Sequence, residues 1–149
     1  MSVSFSCNAI FCDDIRQEIN GKMSLMGIYS VDMYVPDFPI TLPKVCSFFE
    51  LRIPPNLSSV TEATLVVMKG AEKINSITLA LPASDEAVKI PHGKPFAYSR
   101  LIGAMEFANV SFSEPTLLEV AAQIDGQVVI GGRLWVTKFP QTEEIAVPS

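Results

Sequence analysis

Short apolar stretches of five to ten residues recur along this chain, separated by breaks rich in Pro, Gly, Asn and Ser. That spacing is the signature of an all-β protein, and no segment has the length or the 3.6-residue period of a long helix. The pattern predicts strands near residues 3–18, 22–34, 44–53, 62–69, 73–81, 97–112, 117–124 and 127–138. Alternation is strongest in the second, where Met23, Leu25, Tyr29, Val31 and Met33 share one face. In the first, Phe5, Cys7, Ala9, Phe11 and Ile15 alternate with Ser4, Ser6, Asn8 and Asp14. In the third, Val45, Phe49, Leu51 and Ile53 alternate with Glu50 and Arg52. One apolar face per strand implies antiparallel sheets packed on one side only. About eight such strands make a two-sheet sandwich or a small barrel. The one-sided alternation and the long Pro-rich links favour an antiparallel two-sheet sandwich.

Prolines fall mostly between the strands, as expected of a residue that cannot donate to a ladder. PDFP and LP precede the third strand, and IPP follows it. The longest break, LPASDEAVKIPHGKPF at residues 81–96, is long enough to cap one end of the domain. A single domain over residues 1–140 and a loose tail over 141–149 complete the organisation.

The turns carry the register. A two-residue loop at Asn20-Gly21 would send the flanking apolar parities to opposite faces, which is costly wherever one face is buried. A three-residue loop, Ile19-Asn20-Gly21, restores agreement, as a type I turn followed by Gly21 at positive φ. Ile15 then faces Leu25, Phe11 faces Tyr29, and Glu18 meets Lys22 on the wet side. Asp13 falls opposite Gly27, which has no side chain. The same reasoning at Ile124-Asp125-Gly126 predicts another three-residue loop, with Ala122 beside Val128 and Val120 beside Ile130.

Composition narrows the function classes. The chain has 149 residues, 48% hydrophobic and 18% charged, with a net charge of −5 and no run of Lys or Arg. Phosphate binding needs concentrated positive charge, so nucleic acid is not an expected partner, and a membrane surface is not either. No apolar run approaches the roughly 20 residues of a spanning helix, and the first residues lack the basic start of a signal peptide. The three cysteines, Cys7, Cys12 and Cys46, show no CxxC or Cys–His spacing. They are expected to be reduced packing residues in a cytoplasmic protein.

Asp13 holds an inward parity that should be apolar. It is either a metal ligand or general base, or a structural carboxylate that accepts backbone N–H bonds in the gap left by Gly27. The structural reading is preferred, and Asp14 is expected to point outward into solvent. A calcium site would have to draw on Asp32, Asp37, Asp85, Glu86 and Asp125, with no DxDxDG loop to gather six to eight oxygens. His92, in PHGKP, is the only histidine and has no GxSxG partner, so it reads as a solvated loop residue. Gly131-Gly132 lies within a strand and reads as a bulge. Arg133 and Trp135 share the polar parity of the last strand and could form a contact patch, since both residue types are favoured at interface centres.

The segment FCDDIRQEINGKMSLMGIYS resembles the N-terminal signature of an uncharacterised family of small bacterial and phage-associated proteins. Cys12, Asp13, Gly21, Lys22, Ser24, Leu25, Gly27, Ile28 and Tyr29 carry the resemblance, which implies a β fold and supplies no catalytic residue. The later hairpin, LLEVAAQIDGQVV, resembles in a generic way those of immunoglobulin-like or C2-like sandwiches. The expectation is therefore a non-enzymatic interaction or structural module, within a bacterial or phage assembly or in self-association. No cofactor and no metal are expected. The alternative is a ligand-binding or hydrolytic domain with its site in the end loops around Asp13, Asp37 and His92.

Overall fold

The structure, a computed structural model, describes residues 5–54, 61–81 and 99–140. The break at 82–96 and the tail 141–149 lie outside the described residues. Among the described residues there are nine strands: β1 (Ser6–Gln17), β2 (Met23–Ile28), β3 (Asp32–Val35), β4 (Ile40–Ile53), β5 (Glu62–Lys69), β6 (Glu72–Ala80), β7 (Ser99–Phe112), β8 (Thr116–Ile124) and β9 (Gln127–Lys138). They form a four-stranded sheet in the order β2-β1-β4-β7 and a five-stranded sheet in the order β3-β9-β8-β5-β6. Neither closes on itself, and the fold is an all-β two-sheet sandwich. Inward residues of both sheets make one core, with Phe49, Leu51 and Phe112 from the first and Leu65, Val120, Leu134 and Val136 from the second. Apolar burial on this scale, at about 25 cal/mol per Å², is the main force holding the layers together.

The segment expected as one strand over 22–34 is two strands in different sheets. β2 pairs antiparallel with β1, and β3 pairs parallel with β9, the one parallel ladder in the molecule's described part. Gly27 takes φ +67 just before β2 ends, and the Trp135 N–H donates to the Val31 carbonyl at 2.8 Å as the second ladder begins. A period of two does not encode which sheet a strand joins. Val31 is consequently exposed, while Met33 and Val35 enter the core.

β4 also starts earlier than expected, at Ile40, and contains Pro43. Pairing with β7 steps from Leu42–Val110 to Lys44–Ala108, and Asn109 between them leaves the ladder at φ 52. Pro43 thus sits at an irregularity, where a missing N–H is tolerated.

The first hairpin has the expected three-residue connection. Ile15 pairs with Leu25, the Tyr29 N–H donates to the Phe11 carbonyl at 2.9 Å, and the Glu18 N–H donates to the Lys22 carbonyl at 2.7 Å. Its turn type differs, because Asn20 (φ 68) and Gly21 (φ +73) are both left-handed. Asn is among the few side chains that enter this region readily.

The second hairpin departs from expectation. Ile124 pairs with Gln127, so the loop is the two residues Asp125 (φ 50) and Gly126 (φ +77). Ala122 pairs with Val129 and Ala121 with Ile130, leaving Val128 and Ile130 exposed. The extra residue Gly131 then shifts the register, and Val120 meets Gly132. The bulge restores Leu134 and Val136 to the core, so the loop did not have to.

Candidate interaction surface

The outer face of the five-stranded sheet carries an aromatic cluster at its β3–β9 edge. Met33 and Val35 point inward from β3, which sends Asp32 and Tyr34 outward. Leu134 and Val136 point inward from β9, which sends Arg133 and Trp135 outward. The register aligns Asp32, Trp135 and Leu117 in one row across β3, β9 and β8. Just beyond the end of β9, Phe139 lies against Tyr34, their rings stacked with centroids 5.7 Å apart. Its N–H donates to the Val35 carbonyl at 3.2 Å, continuing the line of the β3–β9 ladder. Tyr34, Trp135 and Phe139 are 45%, 41% and 59% exposed. Ion pairs flank the aromatics, Arg133–Glu119 at 2.8 Å and Lys138–Asp37 at 2.6 Å. An apolar centre bordered by satisfied charges is the anatomy of a protein-binding surface. Arg133 and Trp135 were legible in the sequence as an outward pair. Tyr34 and Phe139 were not, because the first requires the β2–β3 sheet switch and the second lies past its strand.

Asp13 lies opposite Gly27, where a Cβ would come within 2.3 Å of its Oδ2. Asp13 is nevertheless exposed. Burial falls along the hairpin from Phe11 to the half-buried Ile15 and Leu25, so an inward parity here faces the rim of the core rather than its centre. The Asp13 carboxylate accepts from the Tyr29 hydroxyl, in place of the backbone donors anticipated for it. Burial first, and then that bond, push the Tyr29 hydroxyl up to about 12.

Asp14 is the carboxylate with several partners, contrary to the solvated role expected for it. Its Oδ1 accepts from the Ile15 N–H at 3.0 Å and from Lys44 Nζ at 2.5 Å. The lysine bond holds the Asp14 carboxyl below its ordinary value and the ammonium above its own.

The other sequence candidates do not converge. Asp37 accepts from the Phe38 N–H at 2.7 Å and pairs with Lys138, sharing no partner with Asp13. Asp32 belongs to the sheet opposite Asp13, and Asp125 occupies a hairpin turn. His92, Asp85 and Glu86 lie outside the described residues. Among the described residues no three His, Cys, Asp or Glu side chains group as a metal site. A cleft of about 490 Å³ runs between β6 and the end of β7. Lys69, on its wall, is already engaged with the Ser111 carbonyl at 2.9 Å and Glu72 at 3.4 Å.

The sequence pattern of the Family of unknown function (DUF6941) matches residues 8–137. The chain belongs to this family. The match runs from within β1 into the last residues of β9, so it covers the hairpin signature, Tyr34 and Trp135 and stops short of Phe139. Comparison with curated proteins gives no match. No helix among the described residues is long and apolar enough to cross a membrane.

Proposed function

We propose that this DUF6941 domain is a non-enzymatic interaction module that binds a protein partner through the β3–β9 face. The observation that carries the reading is the cluster of Tyr34, Trp135 and Phe139, three large aromatics exposed together on one side of a sheet. Burying aromatic surface is the main source of affinity at interface centres, and tryptophan, tyrosine and arginine dominate such sites. The three free cysteines support a reducing, cytoplasmic setting. The hairpin resemblance supports a place in a bacterial or phage assembly.

Quantitative affinity capture from the source cells would test it, comparing the parent with Trp135→Ser/Phe139→Ser and with Asp13→Ala as a control. Proteins bound by the parent and by the control should be lost from the double variant. Equal recovery with all three baits would overturn the reading and turn attention to the end loops around Asp13, Asp37 and His92.

A further inference from the structure

Cys12 and Cys46 are register partners across the β1–β4 ladder. Directly opposed residues project from the same face of a sheet, and here it is the outer face of the four-stranded sheet. Ile10 and Phe48, paired one step along the same face, lie on one side of them. Asp14 and Lys44, bonded to each other, lie on the other. The Cys46 thiol donates to the Asp13 carbonyl at 3.7 Å, which holds its sulfur over β1, the strand that carries Cys12. Cys7 is on the opposite, inner face, against Gly131.

We propose that Cys12 and Cys46 form an oxidisable dithiol that closes to a cross-strand disulfide on reaction with hydrogen peroxide. Opposed residues of an antiparallel ladder have Cα atoms about 4.5–5.5 Å apart, within the span of about 4.4–6.8 Å that disulfides bridge. Their Cβ atoms, also about 4.5–5.5 Å apart, exceed the roughly 3.5–4.5 Å of a relaxed disulfide. Closure therefore draws the strands together and leaves a bond that thiols reduce readily.

Burial selects the oxidant. Cys12 and Cys46 are 0% and 2% exposed, which leaves no room for a glutathione adduct or a second protein chain. A peroxide is the size of two waters. The half-exposed Asp14–Lys44 pair borders the two thiols on the outer face and is the side from which a molecule of that size would enter. One thiol gives up its proton and its sulfur attacks a peroxide oxygen, so that an S–O bond forms as the O–O bond breaks, giving a sulfenic acid and a hydroxide that takes up the released proton as water. The second sulfur, surrendering its proton, attacks the first. An S–S bond forms, the S–O bond breaks, and the departing hydroxide leaves as water. In sum two thiols are oxidised and one peroxide is reduced to two waters.

The test is peroxide treatment of the reduced full-length protein, followed by alkylation under denaturing conditions and peptide mass mapping. The expected product has lost two hydrogens, links the Cys12 and Cys46 peptides, keeps Cys7 alkylated, and reverts with dithiothreitol. Cys7→Ser should give the same product, whereas Cys12→Ser and Cys46→Ser should not. If either of those variants fails to fold, the linked peptide in the parent and in Cys7→Ser still decides. A link that includes Cys7, sulfinic acid at Cys12 or Cys46 without a disulfide, a disulfide-linked dimer, or no reaction would each overturn the proposal.

Discussion

At Gly27 two constraints coincide, positive φ and the Asp13 carboxylate where a side chain would begin. Asp13 can rotate away, at the expense of its Tyr29 bond, but φ +67 remains. A left-handed L-residue costs roughly 1–2 kcal/mol, so Gly27→Ala should destabilise by about 1–3 kcal/mol once crowding is added. Gly27→Val should cost more. Chemical denaturation of Gly27→Ala and of Asp13→Gly/Gly27→Ala separates the two terms, because the double variant relieves only the crowding. The neighbouring aspartates should behave oppositely to their sequence parities. Asp13→Ala removes one exposed hydrogen bond and should stay within about 1 kcal/mol. Asp14→Ala removes the Lys44 ion pair and one acceptor of the Ile15 N–H, leaving Lys44 the longer 3.8 Å contact with Glu106, and should lower the melting temperature further. Since the folded Asp14 pKa is depressed, its stabilisation is present above the ordinary carboxylate value of about 4 and is lost as pH falls through the folded one. Acid unfolding of Asp14→Asn should therefore show a shallower loss than the parent, and identical profiles would refute this. At the alkaline end, Tyr29 keeps its proton to about 12 in the fold, while the unfolded chain releases it near 10. Stability should decline as pH rises between those values.

Among the elements, the closest approach between sheets is where β1 crosses β9. A Cβ on Gly132 would lie 2.3 Å from the Ala9 carbonyl oxygen, and one on Gly131 would lie 2.5 Å from Cys7 Sγ. Backbone cannot swing aside as a carboxylate can. Gly132→Ala should therefore cost about 1–3 kcal/mol or more by overpacking. At Gly126 nothing lies within 4 Å of an added Cβ, so Gly126→Ala carries only the left-handed φ penalty of roughly 1–2 kcal/mol. Urea midpoints of the two variants compare the effects directly. A Gly132→Ala protein as stable as the parent would mean that β1 and β9 are farther apart than described here.

For the whole molecule, the two sheets bury one face each in the inter-sheet core and turn the other outward. The composition is rich in apolar and poor in charged residues, and among the described residues part of the exposed apolar surface is the Tyr34–Trp135–Phe139 cluster. Removing exposed aromatics leaves the inter-sheet core untouched, so Trp135→Ser/Phe139→Ser should retain cooperative unfolding while losing partner binding. Circular dichroism melts run beside the capture experiment check this. A double variant that no longer folds would assign the cluster to stability instead.

The all-β class, the strand positions to within a few residues, the first hairpin with its Asp13–Gly27 juxtaposition, and the outward Arg133 and Trp135 are all written in the order of the residues. Each follows from a local rule: a period of two, a turn residue, or the parity set by neighbours. What parity cannot express came from the packing of the two sheets. Residues 22–34 read as one strand while changing sheets, because the three-residue link between β2 and β3 keeps Leu25 and Met33 on one parity even though Val31 between them is exposed. The second hairpin took the shorter loop, since the Gly131 bulge corrected the register downstream. Asp13 and Asp14 exchanged their expected roles because burial depends on how far the opposing sheet reaches, and partners such as Lys44 come from strands remote in sequence. Cys12 and Cys46 became neighbours for the same reason: 33 intervening positions bring them to one rung, and no spacing rule counts across a sheet.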